Sequence, residues 1–310
     1  MRARATVVTV AVAGAVALSA VVVPAAQAAG GGSRHPAGAL KALHTALAGK
    51  SAFTGASPAG GVPYPLDVTF GGVKVNKGRP IAAGADGRVS VPVTFQITHG
   101  AGVDLGAEDV QLDLVLYRGA SFAHPVKTLI GDYAPSCTAT SATVASCSGT
   151  IDIAPSEQLD NVDASVWKAA GYVIDWNDVD PRADDVDWTK VGYTEGDALA
   201  SVQLQRAPRS TVDAAPEPVK KGKTLTVTGK LARANWDTGL YGGVASQPVK
   251  LQFRKKGSSA YSTVKTLKSS AGGGLKTTVT ASVDGYYRFT FAGNVTVPAV
   301  SSAGDFVDVR

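Results

Sequence analysis

From Leu66 onward, apolar and polar residues alternate in short bursts with the two-residue period of a half-buried strand. The clearest burst is VSVPVTFQI, where Val89, Val91, Val93, Phe95 and Ile97 fall on one face. LDVTFGGVKV, VQLDLVLYRG, KTLIGDY, a Cys-containing stretch ending in GTIDI, GYVIDW and LASVQLQR also read as strands, punctuated by Gly, Asp, Asn and Pro. A second series follows: TLTVTGKL, QPVKLQFRKK, STVKTLKSS, LKTTVTASV, GYYRFTFAG and DFVDV. Two runs of short strands joined by turns predict an all-β protein with two tandem sandwiches.

The first 61 residues follow a different pattern. Arg2 and Arg4 precede a charge-free run from Ala5 to Ala26, rich in Ala and Val, which reaches Pro24 and the small-x-small triplet Ala26-Gln27-Ala28. This predicts a cleaved secretory signal peptide over 1–28 and a secreted, extracellular protein. A permanent membrane anchor is the competing reading, because the run approaches bilayer thickness. Pro24 and the triplet stand where a stop-transfer flank would be, so no membrane span is expected in the mature chain. Residues 29–61 read as a flexible Gly/Ala/Ser-rich leader. Within it, Leu40, Leu43 and Leu47 would share one face of a short helix. The stretch 207–219 carries Pro208, Pro216 and Pro218 and predicts a stiff linker. The expected domains are therefore 62–206 and 220–310.

Charge separates the same two halves. Residues 30–207 carry 13 basic and 19 acidic side chains, whereas 208–310 carry 15 basic and 6 acidic ones. An acidic first domain and a basic second one are expected. The basic residues include Lys220, Lys221, Lys223, Arg254, Lys255, Lys256, Lys265, Lys268 and Lys276. Outside a cell their natural partner is an anionic wall polymer or another acidic surface, and no nucleic-acid motif is present. Solvated strand faces protected from edge aggregation by lysine are the plainer explanation. The two cysteines, Cys137 and Cys147, predict one structural disulfide stapling a hairpin. Closing so short a loop stabilises the fold by roughly 3 kcal/mol.

Both strand series have the length of an immunoglobulin-like domain. KKGKTLTVTGKL, QPVKLQFRKK, VDGYYRFTFAG and the closing DFVDV resemble the bacterial immunoglobulin-like domain of actinomycete extracellular proteins, over roughly 212–310. The resemblance implies a sandwich whose Asp284-Gly285-Tyr286-Tyr287 opens strand F. Its core would include Val227, Leu251, Phe253, Val279, Phe289 and Phe291. FGGVKVNKGRPI and VPVTFQITHG, with the second domain, are similar to secreted two-domain actinomycete proteins, some of which are labelled calcium-binding. That similarity implies compartment and architecture, with a slight push toward calcium.

Candidate chemistry is concentrated in DWNDVDPRADDVDW. Asp175, Asn177, Asp178, Asp180, Asp184, Asp185 and Asp187 offer the oxygen ligands that Ca²⁺ prefers, although the spacing breaks the EF-hand template at Val179 and Arg182. Two carboxylates about 7 Å apart in water repel by only roughly 0.6 kcal/mol, so an exposed acidic loop needs no cation. Trp176 and Trp188, with Tyr172 and Tyr193 nearby, would suit stacking on a sugar, or would fill the sandwich core. Trp236 and Tyr241 lie in a turn-rich link and are candidate loop-tip ligand contacts. Enzyme signatures fail. His35, His44, His99 and His124 lack metalloprotease spacing, there is no Gly-x-Ser-x-Gly, and Gly222-Lys223-Thr224 has Glu217 where a phosphate loop needs glycine. The expectation is a non-catalytic extracellular binding or structural module. Calcium binding and carbohydrate, wall-polymer or protein binding are the alternatives within that class.

Overall fold

The computed structural model describes residues 39–48 and 60–310, so the expected signal peptide and much of the leader lie outside the described residues. Helix α1 (Ala39–Ala48) comes first. The first sandwich contains β1 (Tyr64–Pro65), β2 (Val68–Val75), β3 (Ile81–Ala83), β4 (Val89–His99), β5 (Val110–Ser121), β6 (His124–Leu129), β7 (Ser136–Ser141), β8 (Val144–Ile153), β9 (Val166–Asp175) and β10 (Gly192–Arg206). The second contains β11 (Pro208–Ala215), β12 (Thr224–Asn235), β13 (Leu240–Gly243), β14 (Pro248–Lys255), β15 (Ser262–Lys268), β16 (Gly274–Thr280), β17 (Gly285–Phe291), β18 (Val300–Ser301) and β19 (Asp305–Val307).

In the first sandwich, β2-β4-β8-β7 pack against β1-β10-β9-β5-β6, with β3 joining β10 in parallel. This is the A-B-E-D against G-F-C-C′ order of an immunoglobulin-type sandwich. In the second, β11-β12-β16 face β15-β14-β17, and β18 and β19 pair with β17. The all-β, immunoglobulin-like expectation holds for both. Strict alternation explains the inner layers. Val91, Val93, Phe95 and Ile97 of β4 meet Leu112, Leu114 and Leu116 of β5 and Trp167 and Val173 of β9 in one core. Val227, Leu251, Phe289 and Phe291 form the second core, with Phe253 and Val279 packed at its margin.

The disulfide joins Cys137 on β7 to the residue directly opposite it on β8, Cys147. It staples two strands of one sheet, as the spacing suggested. Gly285 opens β17 because a Cβ there would come within 2.3 Å of the Phe253 ring. Tyr287 packs that same ring at 4.8 Å, and the Asp284 carboxylate accepts the backbone N–H of Val309 at 2.9 Å.

The Pro-rich stretch is not a linker. Pro208–Ala215 is strand β11, paired with β12 along its whole length. Pro208 occupies its first position, where a missing N–H does least damage, and Pro216 and Pro218 fall after it. Only Ala207 separates β10 from β11, and its N–H and C=O bond to Ala83 and Ala234 on either side. Trp236, expected at a ligand-binding loop tip, is instead 2% exposed within the first domain's core cluster. Its Nε1 donates to the Gly84 carbonyl at 2.8 Å. Asn161 holds the joint from the other side. Its backbone N–H donates to Asp237, its amide donates to Asn235, and its side-chain oxygen accepts from Arg206 and from the Trp236 N–H. Burying an indole with its N–H satisfied is a strong reason for the two sandwiches to stay in contact.

Candidate functional site

The acidic loop does not gather its oxygens. Asp175 accepts the N–H of Asn177 at 3.1 Å, Asp180 that of Arg182 at 2.9 Å, and Asp187 both the N–H and the hydroxyl of Thr189. The bonds to Thr189 hold the Asp187 carboxyl below its usual range. Asp178 turns its N–H to Asp109, Asn177 donates to the Lys190 carbonyl, and Asp184 and Asp185 are exposed. Asp175, Asp180 and Asp187 thus each shape their own turn. Among the described residues, no set of three or more His, Cys, Asp or Glu side chains is grouped to hold a metal ion. The seven residues suggested for Ca²⁺ are thus not brought together.

The aromatics beside that loop form a core, but not the one between the sheets. On the outward face of β5, β9 and β10, Val115, Tyr117, Ala170, Tyr172, Ile174 and Tyr193 make a separate apolar cluster. Helix α1 lies on it through Leu43 and Ala46, with Leu40 and Leu47 at the margin. Trp176 and Trp188 close its end, 5% and 8% exposed, with their rings 6.2 Å apart. They are not available as sugar platforms. Polar groups are buried with them. Gln111 donates to the Tyr172 hydroxyl at 2.9 Å, and that hydroxyl donates to Asp113 at 3.1 Å. Burial pushes the Asp113 carboxyl up to about 7 and raises the Tyr172 hydroxyl. Tyr193 donates to Glu195, and His44 of α1 reaches both, at 3.1 and 2.9 Å. The His44 bond keeps the Glu195 carboxyl below its ordinary value. This face is protein interior with a buried polar seam, in which the Gln111 side-chain oxygen is left without a hydrogen-bond partner.

The matching face of the second domain carries no described helix and is partly exposed. Even-numbered residues of β14 and β17 point away from the core, and pairing places Arg254 opposite Tyr286, Gln252 opposite Arg288 and Lys250 opposite Thr290. Tyr286 in turn pairs with Phe306 of β19. Arg254 lies 4.1 Å over the Tyr286 ring, and Arg288 lies 3.8 Å over Tyr261, which reaches in from the segment before β15. Phe306 packs Tyr286 at 5.1 Å and carries Lys256 at 5.2 Å. Each guanidinium is held by a neutral acceptor: Arg254 by the Ser258 carbonyl at 2.7 Å, and Arg288 by the Gln252 amide oxygen at 2.8 Å. Among the described residues, no carboxylate pairs with either. Sequence reading singled out Arg254 for its charge but not Arg288, Tyr261 or Phe306. Alternation in QFR and YYRFT already placed Arg254, Tyr286 and Arg288 outward, and only the cross-strand register was missing.

Tyr241, the fourth aromatic candidate, is half-buried against the first domain's core and is covered by the Arg209 guanidinium at 3.5 Å. It belongs to the joint between domains. No described helix is long and apolar enough to cross a membrane.

No protein-family model and no curated protein matches the chain. Solved structures similar to parts of it include the mouse nectin-like molecule 4 ectodomain, at 13% identity and TM-score 0.23 over 79% of this chain. That match spans 65% of the nectin-like chain, just under two thirds of its length. The human OSCAR ligand-binding domain matches at 11% identity and TM-score 0.21, over 74% of this chain and 97% of its own. Titin domains A168–A170 match at 10% identity and TM-score 0.22, over 81% and 68% respectively. At these TM-scores none of them bears on what the chain binds.

Proposed function

We propose that the protein is an exported, non-catalytic binding module whose basic second domain attaches to an anionic polymer of the cell envelope. The reading is supported by the partly exposed face of β14, β17 and β19, where two arginines are stacked and held by neutral acceptors, without a carboxylate partner among the described residues. The excess of basic residues in 208–310 supports the same reading, since a positive surface concentrates anionic partners. Trp176, Trp188 and Trp236 are taken up by packing, and Asp175, Asp180 and Asp187 by turn formation. Two sandwiches joined through a buried tryptophan would present the basic face on a fixed platform.

Co-sedimentation of the mature protein with purified cell-wall material tests this. Retention at low salt that weakens as ionic strength rises is the expected result. Absence of retention at low salt would refute it. Turnover of peptides, esters or glycans that an acid-to-amide change abolishes would refute the non-catalytic part.

A further inference from the structure

We propose that the outward face of β14, β17 and β19 is a binding site for a uronic-acid polysaccharide. Arg254 and Arg288 take its carboxylates, and Tyr261, Tyr286 and Phe306 take the apolar faces of its sugar rings. This deepens the binding-module reading and rests on it.

The side chains form one ladder across the sheet: Lys256, Phe306, Tyr286, Arg254, Tyr261 and Arg288, each within 5.3 Å of the next. Stacking on a ring fixes a guanidinium plane while its nitrogen edge stays open to an acceptor. Arg254 and Arg288 each give one N–H to a protein oxygen, through Nη1 and Nε respectively. A guanidinium carries five N–H donors, so most of each fork remains for a ligand. A planar fork receives a carboxylate or a phosphate in two parallel bonds, so the arginines select an oxyanion and the rings beside them narrow its kind. The nearby acids do not neutralise the pair, because Asp284 is bonded to Lys256 and Asp308 to Arg310. Arg254 and Arg288 are diagonal neighbours across β14 and β17, which sets them about 7–8 Å apart along the sheet. Two carboxylates on one polymer can therefore be engaged together.

The rings narrow the class of anion. A phosphodiester chain or an acidic peptide would use the cations and make no use of the ring surface that the stacked cations leave exposed on Tyr261, Tyr286 and Phe306. A polymer of sugar rings that bear carboxylates uses both parts of the ladder. Gly304 fits the same arrangement. A Cβ there would come within 2.5 Å of the Tyr261 hydroxyl, which reaches over the sheet at that point.

The test is calorimetric titration of the whole mature chain with polygalacturonate, with dextran, polyphosphate and polyglutamate as comparisons. Binding to polygalacturonate, with at least about tenfold weaker binding to the other three, is expected. The doubly substituted Arg254→Lys/Arg288→Lys protein keeps the charge and loses the fork, and its affinity should fall about tenfold or more. Tyr261→Leu should weaken polygalacturonate binding while lowering the melting temperature by no more than a few degrees. A triple Lys220→Ala/Lys221→Ala/Lys276→Ala control, off this face, should change affinity less than about threefold. Equal binding to polyphosphate or polyglutamate, or arginine-to-lysine changes without effect, would overturn the site. Wall retention that persists when polygalacturonate does not bind would sink this inference and leave the module reading standing. Loss of both would sink both.

Discussion

The two C′CFG-type sheets share a strand order and differ on the side facing away from their own sandwich. In the first domain the outward positions include Val115, Tyr117, Ala170, Tyr172 and Ile174, and the face is roofed by α1. In the second they are Lys250, Gln252, Arg254, Tyr286, Arg288 and Thr290, partly covered by Tyr261 and Phe306, and no described helix roofs them. One fold thus yields a second core in one domain and a charged, ring-lined surface in the other. The choice lies in every second residue of two or three strands, because a strand sends neighbouring side chains to opposite faces.

If the first face is core, truncating it should be expensive. Ile174→Ala, at a position fully buried beneath α1, should lower unfolding free energy by about 2–5 kcal/mol in urea melts. A loss below about 1 kcal/mol would mean that α1 does not close this face.

A pH effect should also separate the two faces. Burial raises the Asp113 carboxyl to about 7, so the folded chain keeps a proton that the unfolded chain releases near pH 4. The folded state binds more protons in that window, and this contribution to stability is complete below about pH 4 and lost as pH rises through 7. Asp113→Asn should therefore flatten the decline in stability between about pH 4 and 7. An unchanged profile would show that the carboxyl titrates normally.

A smaller effect is expected at the rim. Asp187→Ala removes the acceptor for the Thr189 N–H just after Trp188 and should lower the melting temperature slightly, by less than Ile174→Ala does, with or without added Ca²⁺. A millimolar Ca²⁺-dependent melting shift in the parent, lost in the variant, would instead make the acidic loop a metal site.

The smallest stability effect belongs to the partly exposed face. Arg288→Ala gives up one stacking contact and one hydrogen bond at a half-exposed position, about 0.5–1 kcal/mol. A cost as large as that of Ile174→Ala would erase the contrast between the two faces.

Much of this architecture was legible in the chain because strand alternation is local. Val89 to Ile97 announced both β4 and the face it would bury, and TVTGKL, VKLQF and GYYRFTF did the same for the second domain. The ten-residue spacing of Cys137 and Cys147 announced the hairpin staple. Strand β11 was obscured by the prolines around it, since pairing with β12 is a long-range property that composition does not reveal. The aromatics were the hardest to place. Trp176, Trp188 and Trp236 look alike as letters near turns, yet two cap a helix-covered sheet and the third seals the joint with the other domain.

What a residue can do chemically, and which side of its strand it takes, follow from the order of residues alone. Local sterics set the two-residue period, and charge needs no partner in order to be counted. Whether a face is then buried, and by what, was decided by the tertiary structure. Burial depends on what another segment of the chain brings: α1 arrives over Ile174 and Trp236 arrives at Gly84, whereas Arg254 and Arg288 meet only Ser258 and Tyr261 of the segment before β15 and stay partly exposed.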